Sequence, residues 1–282
     1  MKQIQRQFYL QQLIDGKQNG LIKIITGIRR CGKSYLLFKL FTQYLLSSGV
    51  QDDHIIRIAL DDIESKELRD PLLLYKHIKG RMADEELYYV LLDEVQLVPQ
   101  FEEVLNSLLR MDNADVYVTG SNSKFLSSDI ITEFRGRGDE IHLYPLSLLE
   151  YCEGTGQTAQ EAWKDYYTYG GLPHVLALET EKKKVDYLTN LFESVYLIDI
   201  IERQRIKNQA EFAELVRIIA SGIGAPTNPT KLSNTFKSVK NVAINSVTIE
   251  RYLGFMQDAF MIEKAERYDV KGKRYIGSLA KY

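Results

Sequence analysis

Gly27-Ile28-Arg29-Arg30-Cys31-Gly32-Lys33-Ser34 decides how the rest of this sequence is read. It satisfies G-x-x-x-x-G-K-[ST] at every fixed position. Just before it, Leu21-Ile22-Lys23-Ile24-Ile25-Thr26 is short and β-branched and reads as a buried strand. Just after it, Leu36, Leu37, Leu40, Phe41 and Leu45 recur at helical spacing, so a helix is expected over 34–46. Strand, glycine loop and helix are the setting this motif requires. The glycines let the backbone curl so that its N–H groups surround phosphate, and the helix N-terminus adds its positive end. Lys33 is expected to reach the β- and γ-phosphates, and the Ser34 hydroxyl to ligate Mg²⁺. Residues 27–34 and the adjoining Tyr35 are therefore the expected binding loop for a nucleoside triphosphate. Cys31, beside Arg29 and Arg30 at a helix start, sits where a lowered thiol pKa is expected. The plainer reading is a small residue filling a loop position.

Moving outward, strands are expected at 55–60, 87–92, 115–119 and 140–143, with a helix at 101–111. Strands alternating with helices imply an α/β fold, a doubly wound and mostly parallel sheet. Val90-Leu91-Leu92 ends in Asp93 and Glu94, at the carboxyl end of a strand, where open sheets of this kind bind ligands. Asp93 is expected to hold Mg²⁺ through water, and Glu94 to polarise an attacking water as general base. One strand separates the two motifs in sequence, as in the phosphate-loop proteins with an added catalytic glutamate.

The fourth strand ends in Thr119-Gly120-Ser121-Asn122. Ser121 or Asn122 is placed to orient water against a γ-phosphate; either would equally serve as an ordinary helix cap. Phe134-Arg135-Gly136-Arg137-Gly138 follows, and an arginine here either stabilises charge on a neighbouring subunit's nucleotide or is simple surface.

The 282 residues suffice for one large or two to three small domains, and 45% hydrophobic with 26% charged residues excludes disorder and coiled-coil rods. There is no run of eighteen apolar residues and no signal-like start, which argues against a membrane span and for a cytoplasmic location. Two cysteines, Cys31 and Cys152, are too few for a disulfide scaffold. Net charge is −2, but unevenly spread: residues 229–282 carry net +5 and residues 1–228 net −7. A basic C-terminal section on an acidic body hints at an anionic partner such as DNA, against the alternative of an uneven solvated surface.

After Pro145 helical spacing dominates to about residue 208, interrupted at Gly154-Thr155-Gly156 and Gly170-Gly171-Leu172-Pro173. Helices are expected at 212–220, 231–239 and 247–260, with a hairpin over 261–282 turning at Lys271-Gly272-Lys273. In the last helix Ser246 is the expected cap. Ile249, Leu253, Met256 and Phe260 share one face, leaving Thr248, Arg251 and Tyr252 exposed in the manner of a recognition helix. The alternative, with just one arginine on that face, is a small domain that only packs on the phosphate-loop core or on a further C-terminal part.

The order of motifs resembles the AAA-type ATPases, in particular the prokaryotic predicted ATPases whose AAA domain precedes a C-terminal domain of unknown function. The resemblance rests on residues 25–34, Leu92-Asp93-Glu94-Val95-Gln96, Val118-Thr119-Gly120-Ser121, Gly136-Arg137, Leu143-Tyr144-Pro145-Leu146-Ser147, Gly170-Gly171-Leu172-Pro173 and Asp199-Ile200. It implies ATP rather than GTP, a five-stranded core at 1–146, a helical lid at 147–208 and a winged-helix-like segment at 209–282. It favours Arg137 over Arg135 as a residue acting in trans within a homo-oligomer. It also implies a further domain beyond a Lys-Tyr pair like Lys281-Tyr282, so the last segment reads as truncated. The expectation is a Mg²⁺-dependent ATPase coupled to a macromolecular partner, with DNA contacted through 229–282. The alternative is a nucleotide-gated DNA- or protein-binding module of negligible turnover; a small-molecule kinase is disfavoured by Glu94.

Overall fold

The computed structural model describes residues 2–120, 136–240, 243–266 and 279–282. Five strands form one parallel sheet: β1 (Ile22–Thr26), β2 (Ile55–Ala59), β3 (Tyr88–Asp93), β4 (Ala114–Thr119) and β5 (Gly138–His142). Their spatial order is β2-β3-β4-β1-β5, so β4 lies between the strand that feeds the glycine loop and the strand that ends in the acid pair. Lys23 faces Tyr117 across the β1–β4 pairing, Ile25 faces Thr119, and Thr26 faces His142 across β1–β5.

The period of two in each strand sends alternate side chains to two separate cores. Ile22 and Ile24, Ile56 and Ile58, Val90 and Leu92, and Val116 and Val118 pack on one face beneath the helices Pro71–Arg81 and Phe101–Leu108. Ile25, Ile55, Tyr89, Leu91, Tyr117 and Ile141 pack on the other, against α1 (Gln7–Asp15) and the helix that leaves the loop. Both faces are covered, which is why the strands read as near-continuous apolar runs.

The loop helix runs over 33–47 and is not a uniform α-helix. Lys33–Tyr35 and Thr42–Ser47 are α, and Leu36–Phe41 between them is a π-helical stretch. Its buried stripe, Leu36, Leu37, Leu40, Phe41 and Leu45, is the one the sequence spacing singles out. The sequence reading does not include α1 or Pro71–Arg81, although the latter carries plain signals: Asp70 accepts from the Leu73 N–H at 2.9 Å, and Pro71 occupies the first turn.

Beyond the sheet, Leu148–Thr155 and Ala159–Tyr169 each begin in a reciprocal capping box, Ser147 with Glu150 and Thr158 with Glu161. The break at Gly170-Gly171 has a steric reason, since a Cβ on Gly171 would lie 2.1 Å from the Leu146 carbonyl oxygen.

Contacts divide the chain into two compact units, 1–187 and 188–282. In the second, Gln209–Ser221, Pro229–Lys240 and Ser246–Asp258 enclose a core of Phe212, Leu215, Ile219, Phe236, Leu253 and Met256. Thr227 and Ala280 form one antiparallel bridge and Ala265 and Lys281 another. Two expectations are corrected here. The cap of the last helix is Asn245, which accepts from the Thr248 N–H at 2.7 Å, and not Ser246. Tyr252 is buried, meeting Phe212 edge-on at 5.3 Å, because an apolar stripe built on Ile249 and Met256 is wide enough to include it; Arg251 stays exposed and Thr248 is half-buried. Phe260 falls beyond the helix end, at φ 56. The expected hairpin turn at 271–273 lies outside the described residues. No described helix is long and apolar enough to cross a membrane.

Candidate functional site

The carboxyl ends of β1, β3 and β4 bring the sequence-selected groups together. Gly27 has φ 136, and a Cβ there would lie 2.2 Å from the Leu143 carbonyl oxygen, so only glycine lets the loop press against the chain leaving β5. Gly32, at φ 104, turns the chain into the helix. Lys33 is 5% exposed, and its ammonium donates to the carbonyl oxygens of Gly27 at 2.9 Å and Ile28 at 3.1 Å. Ser34 and Tyr35 begin the helix with exposed side chains, and Arg30 holds a left-handed φ of 68 at the exposed tip of the loop. Ile28 and Arg29 are half-buried.

Asp93 ends β3 and is buried. Burial pushes its carboxyl pKa up, and the hydroxyls of Thr119 and Ser34 pull it back by hydrogen bonding. Thr119 joins the two acids: its hydroxyl donates to Asp93 Oδ1 and accepts from the Glu94 N–H at 3.0 Å. Glu94 itself sits at φ 54, ψ 45, outside the strand geometry that precedes it. Gln96 Nε2 donates to its carboxylate. On the far side of the loop, the Thr26 hydroxyl donates to Glu140 Oε1 at 2.8 Å and lies 2.9 Å from His142 Nδ1.

These groups fit a magnesium–nucleotide pair. A glycine loop leads into a helix start, a buried ammonium is held among the described residues by neutral carbonyls, and a buried carboxyl stands next to a hydroxyl with no cation opposite it among those residues. Beside the loop lies a cavity of about 300 Å³, lined by Ile4, Arg6, Cys31, Gly32, Tyr35 and Pro173 among others.

Arg6 is a residue the sequence did not single out. It is 4% exposed, donates through Nη2 to the Tyr144 carbonyl at 2.5 Å, stands 3.3 Å from Glu150 and covers the Tyr9 ring at 4.7 Å. Thr119 was likewise missed as a bridging group, because its partners are adjacent in the sheet and remote in the chain.

Of the two readings of Cys31, the lowered thiol pKa fails. Cys31 is fully buried, and burial drives its thiol pKa up; the nearby charges of Lys33 and Arg6 oppose this but do not prevail. Arg137 is brought to a different place from the other site residues. It is exposed just before β5, at the end of the sheet opposite the loop, with its carbonyl accepting from the Ile22 N–H at 2.9 Å and Nη1 donating to Asn106 at 3.2 Å. A five-residue strand, about 15 Å, separates it from its own loop. Ser121, Asn122 and Arg135 lie outside the described residues.

A family model for an AAA domain matches residues 19–152, and one for a domain of unknown function (DUF8612) matches residues 160–282. An uncharacterized protein of Haemophilus influenzae is 34% identical over 285 residues, covering 99% of this chain and 70% of the relative. An uncharacterized protein of Methanocaldococcus jannaschii is 26% identical over 268 residues, covering 89% of this chain and 58% of that protein, so the chain spans little more than half of the archaeal relative. Among solved structures, a Walker-type ATPase of Pyrococcus abyssi superposes with a TM-score of 0.61 at 17% identity, over 99% of this chain and 93% of that one. That likeness is one of fold, and the fold is that of nucleotide-binding phosphate-loop proteins. With the sheet order, the glycine loop and the two matched domains in agreement, this chain belongs to the AAA-type ATPase family in which an AAA domain is followed by a C-terminal domain of unknown function.

Proposed function

We propose that the chain binds ATP with Mg²⁺ and hydrolyses it, using the cycle to drive or gate contact with a macromolecular partner. The observation that carries this reading is the meeting of Lys33, Ser34, Asp93 and Glu94 at one end of the sheet, where Ser34 bonds Asp93 and Thr119 joins Asp93 to Glu94. In the proposal the loop N–H groups and Lys33 bind the phosphates, Lys33 exchanging the carbonyls of Gly27 and Ile28 for phosphate oxygens. Ser34 and Asp93 hold the metal, which when bound neutralises charge on the phosphate oxygens. Glu94 takes a proton from the attacking water. The cavity between Arg6, Cys31, Tyr35 and Pro173 has the size of a small-ligand pocket and takes the nucleoside end. Ser121 or Asn122 senses the γ-phosphate.

Arg137 is assigned to a neighbouring subunit's nucleotide. Its exposure and its distance from its own loop support action in trans, since it has no short path to the phosphates it would share a chain with. The division into a core, a lid at 147–208 and a winged-helix-like segment at 209–282 belongs to the same proposal. Three helices interleaved with bridging segments at Thr227, Ala265 and Ala280 support the winged-helix reading, and the net +5 charge of 229–282 supports DNA as the partner.

The test is phosphate release by the purified chain with Mg²⁺ and ATP, over a protein concentration series, with and without double-stranded DNA. Glu94→Gln is expected to lose at least tenfold in turnover while still binding ATP. Activity that rises per subunit with concentration supports Arg137 in trans. Tight ATP binding with negligible release in the wild type would instead establish a nucleotide-gated binding module.

A further inference from the structure

Glu94 is held at both ends. Its backbone occupies the left-handed region, which a β-carbon makes unfavourable, and its N–H is fixed there by the Thr119 hydroxyl at 3.0 Å. Its carboxylate is fixed by Gln96, two residues on, which lies on the short 3₁₀ turn Val95–Leu97 and donates from Nε2 to Glu94 Oε2. The other end of the same amide is unusual. Gln96 Oε1 is buried and has no hydrogen-bond partner among the described residues. A glutamine present only to pack or to solvate a turn would expose or satisfy that oxygen. Here the acceptor end is left unsatisfied while the donor end is committed to the carboxylate.

We propose that Gln96 is a positioning residue for ATP hydrolysis, acting through Glu94: its amide N–H keeps the Glu94 carboxylate in the orientation from which it accepts a proton from water. The inference rests on the reading of Glu94 as the general base. The mechanism is geometric. A glutamate side chain has three rotatable bonds, and a base that must meet a water at hydrogen-bond distance loses rate when it samples other rotamers. The Gln96 donor on Oε2, with the backbone pinned by Thr119, restricts the rotamers from which the carboxylate meets the water. No covalent step involves Gln96; the proton passes from water to Glu94.

The experiment measures kcat and KM for ATP in the full chain, and the Kd of a non-hydrolysable ATP analogue. It compares wild type, Gln96→Met, Glu94→Gln and the double variant. Gln96→Met keeps the length of the side chain and removes the donor. It is expected to lower kcat about tenfold, the usual scale for one acid–base positioning contact, with KM and analogue Kd changed less than about twofold. In the Glu94→Gln background the same change is expected to cost nothing further, since two residues that act through one group are not additive. A purely structural role would lower activity equally in both backgrounds or move KM and Kd together, and either result overturns the proposal. If Gln96→Met does not fold, Gln96→Asn, which withdraws the amide by one methylene, is read by the same criteria. The control arm separates the two levels of inference. Full activity in Gln96→Met beside an inactive Glu94→Gln overturns the role of Gln96 alone. Undiminished turnover in Glu94→Gln, or none in the wild type, overturns the underlying reading and this one with it.

Discussion

The two ends of the sheet each bury a lysine and an aspartate on the same face, and they treat them in opposite ways. At the amino end Lys23 and Asp115 are bonded directly to each other. Leu21 O accepts from Lys23 at 2.8 Å, the Tyr117 hydroxyl and the Gln18 N–H donate to Asp115 at 3.0 Å, and the Lys23 ammonium lies 4.6 Å from the Tyr117 ring centre. Burial pulls the Lys23 pKa down and Asp115 pulls it back. At the carboxyl end Lys33 is satisfied by carbonyls and Asp93 by hydroxyls, and no ion pair joins them among the described residues. Charges that neutralise each other hold a structure together. Charges kept apart by neutral partners are left with attraction to spend on a ligand, and the unliganded protein carries the cost of burying them.

The largest expected effect breaks the contrast at the carboxyl end. Lys33→Ala should lower ATP turnover by about a hundredfold or more, the scale of losing a preorganised charge at a phosphoryl-transfer site. The urea midpoint should move little, because the carbonyls it leaves can turn to water. A loss of stability equal to that of a core variant would remove the distinction between the two ends. At the amino end the order reverses. Lys23→Met should cost about 3–5 kcal/mol of unfolding free energy by stranding Asp115. Lys23→Met with Asp115→Leu should recover most of it, and both variants should keep the KM of the wild type, as chemical denaturation and steady-state assays would show.

The smallest effect carries a sign. The Asp93 pKa is raised in the folded state, so the folded chain binds this proton more readily than the unfolded chain. Stability from that difference is present below the ordinary carboxyl range and is lost as pH rises through the folded value. Unliganded Asp93→Asn should therefore be more stable than wild type at neutral pH. The gap should close on acidification to about pH 3, below the ordinary aspartate pKa. Equal midpoints at neutral pH would mean that Asp93 is as well satisfied as Asp115.

Much of this arrangement was legible in the sequence because it depends on local chemistry. The glycine loop, the acid pair and all five strands announce themselves through spacing and β-branched runs, and the observed strands agree with the expected ones to within about two residues. What escaped depends on neighbours in space. Thr119 gains its importance because β4 is inserted between β1 and β3, and no spacing in the chain encodes that order. Arg6 is reached by the chain folding back past Tyr144 and Glu150, more than a hundred residues away in sequence. For Cys31 the nearby charges that suggest a lowered thiol pKa are visible in the sequence, and the depth of burial that reverses it is not. Tyr252 reads as exposed from a stripe one residue wide, whereas the packed face is broader and buries it.

The π-helical stretch Leu36–Phe41 has a bearing on how this loop tolerates genetic change. A π turn in an α-helix is equivalent to one inserted codon, absorbed as a local bulge. Deleting a single residue from this stretch should let the helix close to a regular α form while the turns on either side keep their phase, so that its first turn still faces as it does now relative to Leu45 and the rest of the buried stripe. Lys33 and Ser34 would then keep their place beside Asp93 although the gene is one codon shorter. The stretch 36–41 is thus where the length of this helix can change without re-aiming the motif: a homologue one residue shorter there needs no other means of placing its lysine.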